Sequence, residues 1–305
     1  MAVFQLSAFA DEASPLLDQQ LKALRASGVK CVEMRNVNGA SVKDLTLEQA
    51  REVRAQLDAA GVRVSSMGSP FGKIKITDDF EPHFQEFLHA LDLCHVLGTD
   101  TMRIFSFYMP EGEDPALYRD EVLRRMEKML DAAERENIRL CHENEKGIYG
   151  DIGTRCQDLM DSLGDRLGLI FDPANFVQVH DLPADEFPRL EGYLTYMPIK
   201  DALMEDGCVV PAGKGDGSVA EILAALSLRE GKIVLSVEPH LTAFVGLSAL
   251  QSEEVRHKYS YPDAFAAFAA AVKIDTFAYL PVQDFGNAYS TFVAQNFGAG
   301  NTARI

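Results

Sequence analysis

The chain lacks the features that would tie it to nucleic acid, lipid or a disulfide framework. Its 305 residues carry 29 Lys and Arg against 46 Asp and Glu, a formal charge of −17, and no basic run interrupts that acidity. Phosphate backbones and anionic lipid are repelled by such a charge, so neither nucleic acid nor a membrane is an expected partner. The five cysteines, Cys31, Cys94, Cys141, Cys156 and Cys208, are odd in number and contain no CxxC pair. This excludes a zinc knuckle and a disulfide scaffold, and it points to a reducing cytoplasm. The first residues reach Asp11 and Glu12 without a basic region, so no secretory signal is expected. No uncharged apolar stretch reaches the roughly 18 residues of a spanning helix, which predicts a soluble chain. GxGxxG and P-loop patterns are also missing.

What is present is a βα rhythm. With 47% hydrophobic residues the chain has enough apolar material for a core. Short apolar runs predict strands over Val3–Phe9, Lys30–Arg35, Val62–Ser66, Thr101–Phe105, Ile138–Glu143, Leu169–Asp172, Leu194–Lys200 and Ile233–Glu238. Amphipathic segments between them predict helices over Leu16–Ser27, Thr46–Ala60, Asp79–Leu97, Pro115–Glu136, Thr154–Ser162, Ala184–Leu190 and Val219–Ser227. Eight strands alternating with helices favour an α/β fold closed as a (β/α)8 barrel over an open doubly wound sheet. The βα pattern occupies residues 1–264, and residues 265–305 form an extension that loses it.

In a barrel the C-terminal ends of all strands open at one mouth, and polar residues collect there. The first strand runs into Asp11-Glu12, the fifth into His142-Glu143-Asn144-Glu145, the sixth into Asp172-Pro173-Ala174-Asn175, the seventh into Lys200-Asp201 and the eighth into Glu238-Pro239-His240. For any one of these acids alone, a helix N-cap or a solvated loop charge is the commoner role. Glu143, Asp172 and Glu238 stand apart because each ends an otherwise apolar strand. Brought together they repel unless a shared proton or a cation neutralises them. Carboxylate oxygens suit Mg2+ or Mn2+, and an added imidazole widens the choice to Co2+ or Zn2+.

The stretches SAFADEAS, CVEMRNVNG, SSMGSPFGKI, MRIFSFY, LCHENEKGIYGD, FDPANFVQ, PIKDAL, VVPAGKGDGSV and LSVEPHL resemble the sugar phosphate isomerase/epimerase family. These are xylose isomerase-like TIM barrels that also include ketose 3-epimerases, inosose dehydratases and the endonuclease IV type of repair enzyme. The resemblance implies a divalent metal held by Glu143, Asp172 and Glu238, with a histidine on the seventh strand as fourth ligand. That position is Pro198 here, in Pro198-Ile199-Lys200-Asp201, and His240 and His142 are the candidates to replace it. Proline also removes a backbone N–H that a central strand would use.

The reaction implied is abstraction of the proton α to a sugar carbonyl through a metal-stabilised enediolate, with Glu143 and Glu238 as the two bases. Lys200, Asn175 and His240 are candidate substrate contacts; for Lys200 the alternative is a pair with Asp172, and for Asn175 a structural hydrogen bond. Glycines 213, 215 and 217 let backbone approach an anion, or simply turn the chain. The rival readings are a dehydratase on the same site, an abasic-site repair enzyme and a sugar-binding barrel that has lost catalysis with its fourth ligand. A homo-oligomer is also compatible. The segment PVQDFGNAYSTFVAQNFGAG resembles part of a multidrug and toxin extrusion transporter, too short and too polar to act as one. The preceding AAFAAAVK is expected to form the last helix of the barrel.

Overall fold

The computed structural model describes residues 2–241 together with residues 264, 267–269 and 271–272. Eight parallel strands form one sheet: β1 (Ala2–Ala8), β2 (Cys31–Met34), β3 (Arg63–Met67), β4 (Thr101–Ile104), β5 (Arg139–Glu143), β6 (Leu167–Ile170), β7 (Leu194–Ile199) and β8 (Gly231–Val237). The hydrogen-bonded order is β1-β8-β7-β6-β5-β4-β3-β2, so the sheet curls into a (β/α)8 barrel whose ends, β1 and β2, meet at a seam. No ladder joins β1 to β2 among the described residues.

Helices α1 (Leu17–Ala26), α2 (Leu47–Ala60), α3 (Phe80–Leu97), α4 (Arg119–Arg135), α5 (Gly153–Leu163), α6 (Pro173–Gln178), α7 (Pro183–Leu190) and α8 (Val219–Ser227) cover the outside. Local chemistry sets their ends. Thr46 and Gln49 close a capping box on α2, and Gly61, at φ 69°, stops it in the left-handed conformation. The first turn of α1 is capped from outside the helix, because Asn38 Oδ1 accepts the Leu17 N–H at 3.0 Å. The described helical residues after β8 bury Ala267, Phe268, Ala271 and Val272 in the same core. The transporter-like segment lies outside the described residues.

Two apolar layers result. Helices and the outer strand faces form the large core, while Cys141, Ile170 and Tyr196 form a separate cluster inside the barrel. Three local features differ from the sequence reading. The segment 115–136 divides into a 3-10 turn, Pro115–Tyr118, and α4. The sixth strand ends at Ile170, and α6 was not expected at all; both follow from Asp172, whose carboxylate starts a helix at Pro173. The five cysteines are free and buried. No helix of the described residues is long and apolar enough to cross a membrane.

Candidate active site

Side chains on a strand alternate between its faces, and the rows that point inward continue past the strand ends into the mouth. They deliver Asp11 after β1, Glu33 and Arg35 on and after β2, Arg103 on β4, Glu143 on β5, Asp172 after β6, Lys200 after β7, and Glu238 and His240 after β8. All of these are buried. The Phe9 ring packs against the charged layer, with the Arg35 guanidinium 4.4 Å and the Arg103 guanidinium 5.0 Å from its centre.

Glu143, Asp172 and Glu238 do converge. One oxygen of each lies within 4.8 Å of the others, and all three residues are buried. Each also meets a cation: Glu143 pairs with Arg103 at 2.9 Å, Asp172 with Lys200 at 2.6 Å and Glu238 with Arg35 at 2.8 Å. Lys200 reaches Glu238 as well, at 3.7 Å. The two readings of Asp172 prove compatible, one per oxygen: Oδ1 accepts the Asn175 N–H at 3.0 Å as an N-cap, and Oδ2 faces Lys200. Asn144 fixes the turn by accepting the Asp172 N–H at 2.8 Å and donating to the Asp172 carbonyl at 3.0 Å. Asn175 donates in turn to the Asn144 carbonyl at 2.9 Å, which is the structural role considered for it, while its Oδ1 has no hydrogen-bond partner.

A second group, Glu12, Glu238 and His240, shares Glu238 with the first. His240 Nε2 lies 3.2 Å from Glu238 Oε1 and 3.4 Å from Glu12 Oε1. Its backbone is left-handed, φ 46°, and is held there by its N–H donating to Glu12 Oε2 at 2.8 Å. His142 is elsewhere: its Nε2 meets Ser106 Oγ at 2.9 Å on the outer face of β5. His83, His89 and His95 engage Gly72, Leu45 and Glu136, so none joins either cluster.

Burial dominates the electrostatics. It pushes the Glu143 carboxyl up to about 8 against the opposing pull of Arg103, and the Glu12 carboxyl up to about 8 against Arg35. Burial also acts on Glu238, but Lys200, His240 and Arg35 together hold that carboxyl well below its usual range. Asp172 is raised by burial and pulled back by Lys200. The ammonium of Lys200 resists its own burial because Asp172, Glu238 and Glu143 surround it.

A family model described as a xylose isomerase-like TIM barrel matches residues 21–255. The chain belongs to this xylose isomerase-like family. No curated protein matches it. The barrel is similar to the crystal structure of the IOLI protein with a bound zinc atom, at 16% identity and a TM-score of 0.71, over 90% of this chain and 98% of that one. It is similar to an L-ribulose 3-epimerase at 15% identity and TM-score 0.68, over 95% and 98%. The probable 3-DHS dehydratase AsbF of Bacillus anthracis, involved in petrobactin synthesis, aligns at 14% identity and TM-score 0.67, over 90% and 99%.

Within this xylose isomerase-like barrel, Pro198 costs the sheet less than its central position suggests. It shares the backbone edge of Tyr196, which faces β6, and the β6–β7 ladder ends at Ile170 and Tyr196. The missing N–H therefore falls where pairing has already stopped. Asp201, the other strand-seven acid, organises a loop: it accepts the backbone N–H groups of Ala202, Gly213, Gly215 and Gly217, the last three at 2.9 Å. The anion that these glycines approach is thus internal. Sequence reasoning missed Arg35 and Arg103 as site residues, although an arginine within an apolar strand such as TMRI needs a buried partner.

The donor set fits a divalent cation. Three buried carboxylate oxygens within 4.8 Å form a hard, oxygen-only set of the kind that Mg2+ and Mn2+ take with water completing the shell.

Proposed function

We propose that this chain is a metal-dependent isomerase or epimerase acting on a small sugar or sugar derivative. The convergence of Glu143, Asp172 and Glu238 at the barrel mouth carries the reading, and the likeness to an epimerase and to a zinc-bound barrel supports it. Held by these three carboxylates, Mn2+ or Mg2+ would polarise the substrate carbonyl and lower the cost of negative charge on its oxygen. Co2+ and Zn2+ become better suited if His240 contributes its imidazole.

The chain's own groups divide the remaining work. Glu238, held as a carboxylate, takes the α proton. Glu143 stands on β5, three strands away around the ring, and exchanges a proton with the carbon from the other side. Two groups on different walls permit inversion or transfer to the neighbouring carbon. Asn175 Oδ1, His240 and Lys200 are the nearest groups for substrate hydroxyls. The Phe9 and Phe105 rings lie against the Arg35 and Arg103 guanidiniums that pair with Glu238 and Glu143.

Dehydration is the second reading, favoured by the equal likeness to a probable dehydratase, since it begins with the same proton abstraction. Against abasic-site repair stand the charge of −17 and the presence of one imidazole, His240, in the candidate metal clusters of the described residues. The test is a panel of ketoses, aldoses and inososes incubated with Mn2+-loaded enzyme and with EDTA-treated enzyme. A metal-dependent new sugar epimer supports the proposal, an unsaturated product supports dehydration, and binding without turnover identifies a sugar-binding barrel.

A further inference from the structure

The ammonium of Lys200 stands inside the carboxylate cluster, 2.6 Å from Asp172 Oδ2 and 3.7 Å from Glu238 Oε2. These two residues are among the three that would hold the metal, and Lys200 is nearly inaccessible, with 4% of its side chain exposed. Glu143 and Glu238 have further cationic partners in Arg103 and Arg35, but those guanidiniums approach from β4 and from beyond β2. Lys200 contacts two of the three cluster acids. Two residues earlier on the same inward row, Pro198 offers no ligand atom, so nothing on strand seven draws a metal away from the ammonium.

We infer that Lys200 and a divalent cation compete for one place, so that the lysine acts as a built-in counter-ion that keeps the site charge-balanced when metal is scarce and sets a high threshold for loading. This rests on the metal-site reading above. An ammonium and a divalent cation a few ångströms apart in a buried site repel strongly, so one displaces the other. Glu145 gives the displaced lysine a second anion to face: it acts electrostatically on Lys200 and is itself held by Lys73 at 2.7 Å. The consequence is a site whose occupancy responds to metal concentration more than that of a four-ligand barrel.

The test is Mn2+ binding to the full-length protein, followed by the electron paramagnetic resonance of free Mn2+. Wild type is compared with Lys200→Met, Lys200→Gln and Asp172→Asn, with thermal unfolding read in parallel. Both lysine variants are expected to bind Mn2+ about tenfold or more tighter than wild type, a difference of about 1.4 kcal/mol, and Asp172→Asn to lose binding. Without metal the lysine variants unfold at lower temperature, because Asp172 is left buried without its partner, and Mn2+ restores them more than it stabilises wild type. Lysine variants that bind Mn2+ no tighter than wild type, or that Mn2+ does not stabilise further, overturn the competition while leaving the metal site standing. Absence of binding in every protein removes the competition and the metal-dependent function together.

Discussion

The Arg35 guanidinium and the Glu238 carboxylate, 203 residues apart in the chain, meet at 2.8 Å. Arg35 also donates to Asp11 at 2.9 and 3.0 Å, so one side chain from the end of β2 grips groups that follow β1 and β8. This is the seam where no ladder joins β1 to β2 among the described residues, and the ion pairs fasten what backbone hydrogen bonds do not.

Arg35→Met therefore strikes both seam and site. Removing one partner of a buried ion-pair network costs about 3–5 kcal/mol, because Asp11, Glu12 and Glu238 keep their burial without its charge. Urea unfolding should show the loss, while Arg124→Met, whose pair with Glu121 is exposed, should change stability by less than about 1 kcal/mol.

Pro198→His adds an imidazole on the inward row of β7, where the family resemblance places one. Because the β6–β7 ladder stops at Tyr196, the new N–H disturbs no existing pair. Mn2+ affinity, measured calorimetrically, should rise about tenfold or more. Unchanged affinity would mean that this position does not face the cluster.

Asp201→Ala leaves several backbone N–H groups without their acceptor. Each buried unsatisfied donor costs about 1–3 kcal/mol, so the loop opens before the barrel does. Amide hydrogen exchange should quicken at Gly213, Gly215 and Gly217 and stay slow in β5 and β6. Gly215→Ala has the same effect by a steric route, since a Cβ there would lie 2.3 Å from the Ala202 carbonyl oxygen.

Acidification should remove the stability that the buried histidines contribute. His83 Nε2 accepts the Gly72 N–H at 2.9 Å, and burial lowers its pKa from 6.5 to about 4. Between those values the unfolded chain takes up a proton that the folded chain refuses. Stability is complete above pH 6.5 and is lost as pH falls through about 4. His142, lowered by burial to about 3, contributes with the same sign. Between pH 7.5 and pH 4.5 the unfolding free energy of wild type should fall relative to that of His83→Gln, a difference from which the opposite contribution of the raised Glu12 and Glu143 carboxyls cancels.

The fold was legible because each strand and each amphipathic helix carries its own periodicity, and the eight strands appear at or within about two residues of the expected positions. The carboxylates were legible because an acid ending an apolar run is conspicuous. Their counter-charges were harder to see. Arg35 and Arg103 look like ordinary strand residues until the ring brings them across the lumen to Glu238 and Glu143, and no local pattern encodes a contact 203 residues long. Helix α6 was invisible for a related reason: six residues are too few for a period, and its start depends on the Asp172 carboxylate and the Asn144 lock.

Proton transfer by Glu143 and Glu238 is the central step, and exchange of substrate hydrogen with deuterated water measures it directly. Mn2+-loaded wild type should wash deuterium into the carbon beside the carbonyl of an accepted sugar, and Glu143→Gln and Glu238→Gln should each reduce the rate by about a hundredfold or more. Exchange at the wild-type rate in either variant, with folding and metal content intact, would contradict the role assigned to that residue.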